Sequence, residues 1–460
     1  MSTPWITSVS PQHPEDVVVE VPATAAADVE RVARKARLAQ RAWASAPAPS
    51  RAQALNAAAD AVAAAAEEVT ALMVREVGKP VDEAKGETAR TVAILRYYAQ
   101  QVLDPDGETY PGSDGSSLMM ARRRPRGVAG LITPWNFPAA IPLWKAAPAL
   151  AFGNAVLLKP APQSTALAQR LVELISPVFP QDLLVVLPGE GATGQAVVEA
   201  ADVVSFTGST SAGQAIRMAA AQRGVPAQCE MGGQNASIVA PDADVKQTAT
   251  IIAAAAMGYA GQKCTATSRV IVVGDPKEFT DALLAAVNSL SVGDPAEQGV
   301  SVGPVITEPA RQGVLDAAEQ VRHDGGQVLC GGRPVDRDGY FVAPTVVGGV
   351  AADHPVAQQE VFGPFCVVLR AESLEHAVAM ANETAYGLTA ALFTQDLAAA
   401  MSAAERLDAG LVRINASTAG VDFYAPFGGE KASSYGPREQ GKAAREFYTG
   451  IRTITIVAGA

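Results

Sequence analysis

A chain of 460 residues, 48% of them hydrophobic and 18% charged, holds enough apolar material for large cores and is not a disordered chain. Its net charge of -11 argues against nucleic acid and against an anionic membrane as partners. The cysteines Cys229, Cys264, Cys330 and Cys366 are far apart, and the histidines His13, His323, His354 and His376 are scattered, so neither a disulfide framework nor a metal site is expected. Residues 1–20 are polar and punctuated by proline, with no apolar signal core. The most apolar stretch, 141–158, is interrupted by Lys145, Pro148 and Asn154, and no segment offers the roughly 18 unbroken apolar residues of a membrane span. A cytoplasmic protein is expected.

In chain order, the first hundred residues read as helical. An Ala-rich apolar pattern follows a candidate N-cap at Ser50 and runs to Val77, where Gly78 and Pro80 supply a stop. A second helix is expected over 81–103, and the Gly-, Pro-, Ser- and Asp-rich residues 104–117 predict a loop or hairpin arm. From Gly127 onward, β-rich runs at 128–132, 155–159, 183–187, 203–206 and 237–240 alternate with helical segments. A second alternation follows residue 251, with runs at 269–273, 365–369, 390–394 and 411–415. This predicts an α/β protein with two doubly wound parallel-sheet domains. The tail 451–457 alternates as a strand and is expected to pair with the arm near residues 105–124.

Several motifs carry chemistry. Gly189-Glu-Gly191-Ala-Thr-Gly194 matches G-x-G-x-x-G between a strand and a helix, which is equally the pattern of an ordinary glycine-rich turn. One βα unit later, Phe206-Thr-Gly208-Ser209-Thr210 opens a helix whose first amides suit a pyrophosphate. Two such turns at neighbouring strand ends suggest a nucleotide site along that edge. A lone cysteine is usually a small buried apolar residue, but Gly261-Gln262-Lys263-Cys264-Thr265 is not core-like company, and an adjacent cation lowers a thiol pKa. Glu230-Met231-Gly232-Gly233 places a carboxylate at a strand end before glycines that permit close approach of a ligand; burial tunes such a glutamate as a general base. Thr133-Pro134-Trp135-Asn136-Phe137-Pro138 is either a rigid aromatic turn or the holder of an amide donor, Asn136, for a developing oxyanion. Lys159-Pro160 and Glu360-Val361-Phe362-Gly363-Pro364 complete the set; each is compatible with an ordinary strand end or turn.

These blocks in this order, together with Pro426-Phe-Gly-Gly, resemble the aldehyde dehydrogenase superfamily over nearly the whole chain, from about residue 17 to residue 457. The resemblance implies Cys264 as nucleophile, Glu230 as the base that activates water, Asn136 with the Cys264 amide as oxyanion hole, and Lys145 near the active site. It implies a Rossmann-like cofactor domain over 1–104 and 125–232, a catalytic domain over 233–431, a return segment 432–446, and a small β arm for oligomerisation over 105–124 and 447–460. The cofactor would be held by Lys159 and Glu360 at the riboses, Gly208 and Ser209 at the pyrophosphate and Gly189 beside the adenine. Thr133, Pro134, Trp135, Phe206, Met231, Gly232 and Phe362 would line the same site.

One departure concerns the choice of cofactor. The family often places a glutamate two residues after the Lys-Pro pair, where it binds the adenosine ribose; here that residue is Pro162. NADP is therefore expected to serve at least as well as NAD. The segment 418–441 is similar to that of the α-ketoglutaric semialdehyde (2,5-dioxopentanoate) dehydrogenases, which implies a semialdehyde substrate; succinic semialdehyde and simple aliphatic or aromatic aldehydes are the alternatives. A homodimer or homotetramer is implied as well. Glu230 argues against a CoA-acylating relative. The joint presence of Cys264, Glu230 and Asn136 argues against a non-catalytic, crystallin-like one. The absence of a histidine from every motif argues against a cofactor-free cysteine hydrolase.

Overall fold

The computed structural model describes residues 4–457. It contains two large, mainly parallel sheets, each with its own apolar core, and an antiparallel arm. The first sheet has six strands in the order Ser434–Tyr435, Ala227–Glu230, Val203–Thr207, Val128–Thr133, Ala155–Pro160 and Leu184–Val186. All neighbours are parallel except the first pair. Its central strands are buried on both faces, as a parallel sheet covered by helices requires. From Val128–Thr133 the chain builds first to one side and then crosses to the other, which leaves a switch point between that strand and Val203–Thr207.

The second sheet has seven strands in the order Gln327–Cys330, Thr345–Gly348, Phe365–Ala371, Thr267–Val273, Asn235–Val239, Thr389–Phe393 and Leu411–Ile414. Only its outermost pair, Gln327–Cys330 with Thr345–Gly348, is antiparallel. The run at 237–240, grouped by its texture with the earlier strands, lies in this second sheet as Asn235–Val239. The strand expected to end at Glu230 is Ala227–Glu230, whereas the short strands Gln327–Cys330 and Thr345–Gly348 were not among the expected runs.

The expectation of an all-helical N-terminal region is corrected by a hairpin, Trp5–Ser10 with His13–Pro22. Its second strand alternates between exposed and half-buried residues, so no apolar run marks it. The helical pattern from Ser50 to Val77 is two helices, Ala48–Ala64 and Ala66–Val77, separated at Ala65 (φ -100°, ψ 18°), and the first is preceded by Pro47 in place of the expected Ser50 cap. Gly78 closes the second helix with a φ of 64°. The next helix is Val81–Gln101.

The tail strand Thr449–Val457 pairs antiparallel with Ser117–Pro125, which pairs in turn with Gly107–Pro111. Residues 458–460 of the expected arm, and 1–3 of the expected first domain, lie outside the described residues. Among the described residues no helix is long and apolar enough to cross a membrane, and no group of three or more His, Cys, Asp or Glu side chains is placed to hold a metal.

Candidate active site

Cys264 is delivered by a strained turn. After the helix Val245–Met257, three successive residues are left-handed: Tyr259 (φ 53°), Ala260 (φ 52°) and Gly261 (φ 67°). The conformation costs roughly 1–3 kcal/mol at each non-glycine residue and persists only where the surroundings enforce it. Here the Tyr259 amide donates to the Ser301 carbonyl (3.0 Å) and its hydroxyl to the Val77 carbonyl (3.2 Å). Position 261 admits only glycine, since a Cβ there would fall 2.0 Å from the Gly363 carbonyl oxygen. The buried Gln262 side chain accepts from the Ile306 amide (2.8 Å). The Cys264 carbonyl accepts from the Asn235 side-chain amide (2.8 Å).

Asn136 follows the strand Val128–Thr133 and is buried. Its side-chain amide donates to the Gln262 carbonyl (2.9 Å), which joins this turn to the cysteine loop. The Asn136 carbonyl in turn accepts from Lys79 Nζ (2.7 Å). Lys79 is fully buried, ion-paired with Glu87, and lies 3.9 Å from the centre of the Phe137 ring. The other Glu87 oxygen accepts from the Ala139 and Ala140 amides, both at 2.9 Å, at the start of the helix Ala140–Ala151. A buried ion pair with all its remaining valences met is a positioning device whose partners cannot be removed singly without large cost.

Glu230 ends the strand Ala227–Glu230 and is buried. The antiparallel partner strand sets Ser434 opposite it, and the Ser434 hydroxyl donates to Glu230 Oε2 (2.5 Å). Glu230 Oε1 has no hydrogen-bond partner among the described residues. Behind it, Glu439 is ion-paired with Lys145 and accepts from the Trp144 indole (2.8 Å). Lys145 also donates to Ser205 (2.8 Å). Lys145 thus reaches the site through Glu439 and makes no hydrogen bond to Cys264 or Glu230. Burial, and then the Glu439 charge, hold the Glu230 carboxyl well above the usual carboxylate range, against the Ser434 hydrogen bond and the charges of Lys145 and Arg438. A carboxyl so raised is a better proton acceptor near neutral pH.

Cys264 is half-buried as a residue and lines a cavity of about 250 Å³. Its thiol is pushed up to about 12 by burial and then by the carboxylates of Glu360, Glu230 and Glu439. The expected help from the neighbouring cation is corrected here. The Lys263 ammonium is held 2.8 Å from Glu83, and what the thiol feels is burial and negative charge. The thiol is therefore protonated at neutral pH in the free protein.

The remaining motif residues line the sheet edge. Lys159 ends Ala155–Pro160, is buried, and makes no hydrogen bond or ion pair among the described residues. Burial pushes its ammonium down to about 8, against the charge of Glu190. Glu360 accepts from the Gly233 amide (3.2 Å), and burial pushes its carboxyl up to about 7. A Cβ at Gly232 would fall 2.5 Å from Glu360 Oε2, one at Gly208 2.6 Å from Phe206 Cζ, and one at Gly189 2.0 Å from Thr193 Oγ1. Trp135 stands edge-on to Phe362 at 5.8 Å, and Phe362 has a φ of 52°. Met231 packs where a Cβ on Gly213 would meet its sulfur at 2.5 Å. Ser209 is the N-cap of the helix Thr210–Arg223 and is exposed. Thr133 is buried with a hydroxyl that has no partner among the described residues, Pro134 is half-buried beside it, and Pro162 opens the short turn Pro162–Ser164.

The structure thus brings together Asn136 and the Cys264 loop, Glu230 with Lys145 through Glu439, and Gly232 with Glu360. Among the described residues, the side chains of Pro162 and Ser209 make no hydrogen bond to these groups. Sequence reading missed Glu439, Ser434 and Asn235. No spacing announces them, because each meets its partner across a long stretch of chain.

Comparison with known proteins places this arrangement. The profile of the aldehyde dehydrogenase family matches residues 2–454. The chain is 40% identical over 456 residues to the alpha-ketoglutaric semialdehyde dehydrogenase of Bacillus subtilis (strain 168), covering 97% of this chain and 93% of that one. It is 34% identical to the 2,5-dioxopentanoate dehydrogenase of Saccharolobus solfataricus, covering 97% of this chain and 95% of that protein. Its fold superposes with a TM-score of 0.95, at 30% identity, on the crystal structure of betaine aldehyde dehydrogenase from Staphylococcus aureus in complex with NAD+, covering 98% of this chain and 92% of that one. On its sequence and on its fold, the chain belongs to the aldehyde dehydrogenase family.

Proposed function

We propose that this aldehyde oxidoreductase converts a carboxylated semialdehyde of the 2,5-dioxopentanoate type to its acid, with NADP or NAD as electron acceptor and Cys264 as nucleophile. The observation that carries the reading is a cavity-lining thiol that feels the charge of a buried carboxylate, Glu230, whose Oε1 has no partner among the described residues. The semialdehyde rests on the names of the Bacillus and Saccharolobus relatives.

The nucleotide fits residues that are otherwise unexplained. Lys159 is a buried ammonium with no partner among the described residues, Glu360 spends one oxygen on a backbone amide, and Gly208 and Gly232 leave clearance that a side chain would close. We assign Lys159 and Glu360 to the riboses, Gly208 and Ser209 to the pyrophosphate, and Gly189 to the adenine side. Thr133, Pro134, Trp135, Phe206, Met231 and Phe362 form the walls. A bound nicotinamide dinucleotide supplies the two-electron acceptor for hydride.

The chain's own residues do the rest. The Cys264 thiol, protonated in the free protein, gives up its proton to solvent, and the thiolate attacks the aldehyde carbon; the Asn136 side-chain amide and Cys264 backbone amide receive the negative charge that develops on oxygen. One such donor is typically worth about 3 kcal/mol. Loss of hydride leaves an acyl thioester on Cys264. Glu230 then takes a proton from water through Oε1, the hydroxide adds to the thioester, and the carboxylic acid leaves as the thiol reforms. Ser434 holds Glu230 Oε2, while the charge of Glu439 raises and that of Lys145 lowers its proton affinity.

Pro162 offers no carboxylate to repel a 2′-phosphate, and Lys159 is a cation for it; NADP should serve at least as well as NAD. The nearby Ser164 hydroxyl donates to the Ala161 carbonyl (3.3 Å) and so offers no free donor to that phosphate. We assign residues 1–104 and 125–232 to the cofactor domain, 233–431 to the catalytic domain and 432–446 to a return segment. The arm over 105–124 and 447–460 makes the chain a homodimer or homotetramer. The four free cysteines fit the cytoplasm. The test is kcat/KM for a panel of aldehydes with both dinucleotides, in the parent and in Pro162→Glu. The expected result is preference for 2,5-dioxopentanoate and a loss of NADP use of about tenfold or more in the variant. Preference for an uncharged aromatic aldehyde overturns the substrate, and unchanged NADP use in Pro162→Glu overturns the role of that position.

A further inference from the structure

We propose that Arg90 recognises the carboxylate of the semialdehyde, an assignment that rests on the substrate reading above. The helix Val81–Gln101 presents Glu83, Glu87 and Arg90 at intervals of four and three residues, so the three share one face. All three line the cavity that contains Cys264. A count of charge on that wall decides the matter. Glu83 is neutralised by Lys263 at 2.8 Å, and Glu87 by the buried Lys79. Arg90 is half-buried and has neither an ion pair nor a side-chain hydrogen bond among the described residues. The cavity therefore carries one uncompensated cation, and its chemistry is that of a planar fork for a carboxylate.

The other walls fit the middle of the same molecule. Phe137, Trp144 and Val421 line the cavity with apolar surface, which suits the two methylenes between an aldehyde and a 2-oxo acid head. With the aldehyde carbon at Cys264, the acid end of an extended five-carbon chain lies about 5 Å further along the cavity. A solvated surface arginine would sit outside the pocket; this one shares it with the thiol.

The experiment compares 2,5-dioxopentanoate with pentanal, an aldehyde of the same chain length without the acid, in the parent, Arg90→Leu and Arg90→Lys. The readout is the ratio of kcat/KM for the two aldehydes. It should fall about ten- to a hundredfold in Arg90→Leu, through the KM for the acid, because a charge-assisted bidentate contact is lost. Arg90→Lys should recover part of the loss and carries the test if Arg90→Leu does not fold. A parent that prefers 2,5-dioxopentanoate and an Arg90→Leu or Arg90→Lys variant that keeps the full preference overturn the role of Arg90 alone. A parent with no preference overturns the substrate reading and this assignment with it.

Discussion

Glu360 and Lys159 face the proposed nucleotide with displaced pKa values, and the displacements have opposite signs. Burial raises Glu360 to about 7, so its carboxylate is neutral below that pH and ionised above it. Burial lowers Lys159 to about 8, so its ammonium is charged below that pH and lost above it. Ribose hydroxyls are held by the ionised carboxylate and the charged amine. Dinucleotide affinity should therefore rise through about 7 and fall through about 8, read as Kd from the quenching of Trp135 fluorescence. Glu360→Gln should flatten the acid limb and Lys159→Met the alkaline limb. A Kd independent of pH across neutrality would contradict both assignments. At this scale the sequence exposed what is local: Cys264, Glu230 and Asn136 sit in short motifs whose company is not core-like. It hid what depends on burial. Glu439 lies among surface-like residues in the chain yet is buried against Lys145, and Lys263 is spent on Glu83 and does not assist the thiol.

The turn Gly258–Gly261 is the element on which the cysteine depends. Gly261→Ala should lower the thermal midpoint markedly and reduce turnover, since a left-handed alanine would also press on the Gly363 carbonyl at 2.0 Å. Gly224→Ala makes the control: its φ is 66°, but its Cβ would meet nothing within 4 Å, and the cost should stay near 1 kcal/mol. Equal costs at the two sites would contradict the account of the turn. The strands of both sheets were legible where they are buried on both faces, because such strands read as apolar runs separated by helices. The hairpin Trp5–Ser10 and His13–Pro22 was not, because its polar, proline-bearing second strand buries little. Nor was the break at Ala65, where alanine on both sides gives no stop signal.

At the scale of the molecule, the first sheet reaches the cysteine loop through the hydrogen bond from Asn136 to the Gln262 carbonyl, and the arm joins the tail strand to residues 117–125. The arm leaves Ile451 66%, Val457 62% and Tyr110 45% exposed on one face, and Ile456 51% and Leu118 47% exposed on the other. Exposed apolar side chains on an antiparallel ribbon invite a partner strand or face. Light scattering at micromolar concentration should report a dimer or tetramer, and Ile451→Glu combined with Ile456→Glu should shift it to a smaller species. A parent that is monomeric would refute the reading of the arm. The central claim is that oxidation passes through an acyl group on Cys264, released by Glu230. Its most direct test is peptide mass spectrometry of Glu230→Gln, quenched in acid after mixing with the aldehyde and dinucleotide. The account predicts a burst of reduced dinucleotide, slow turnover after it, and the acyl mass on the peptide that contains Cys264. A burst with the acyl group on another residue, or on none, would contradict it.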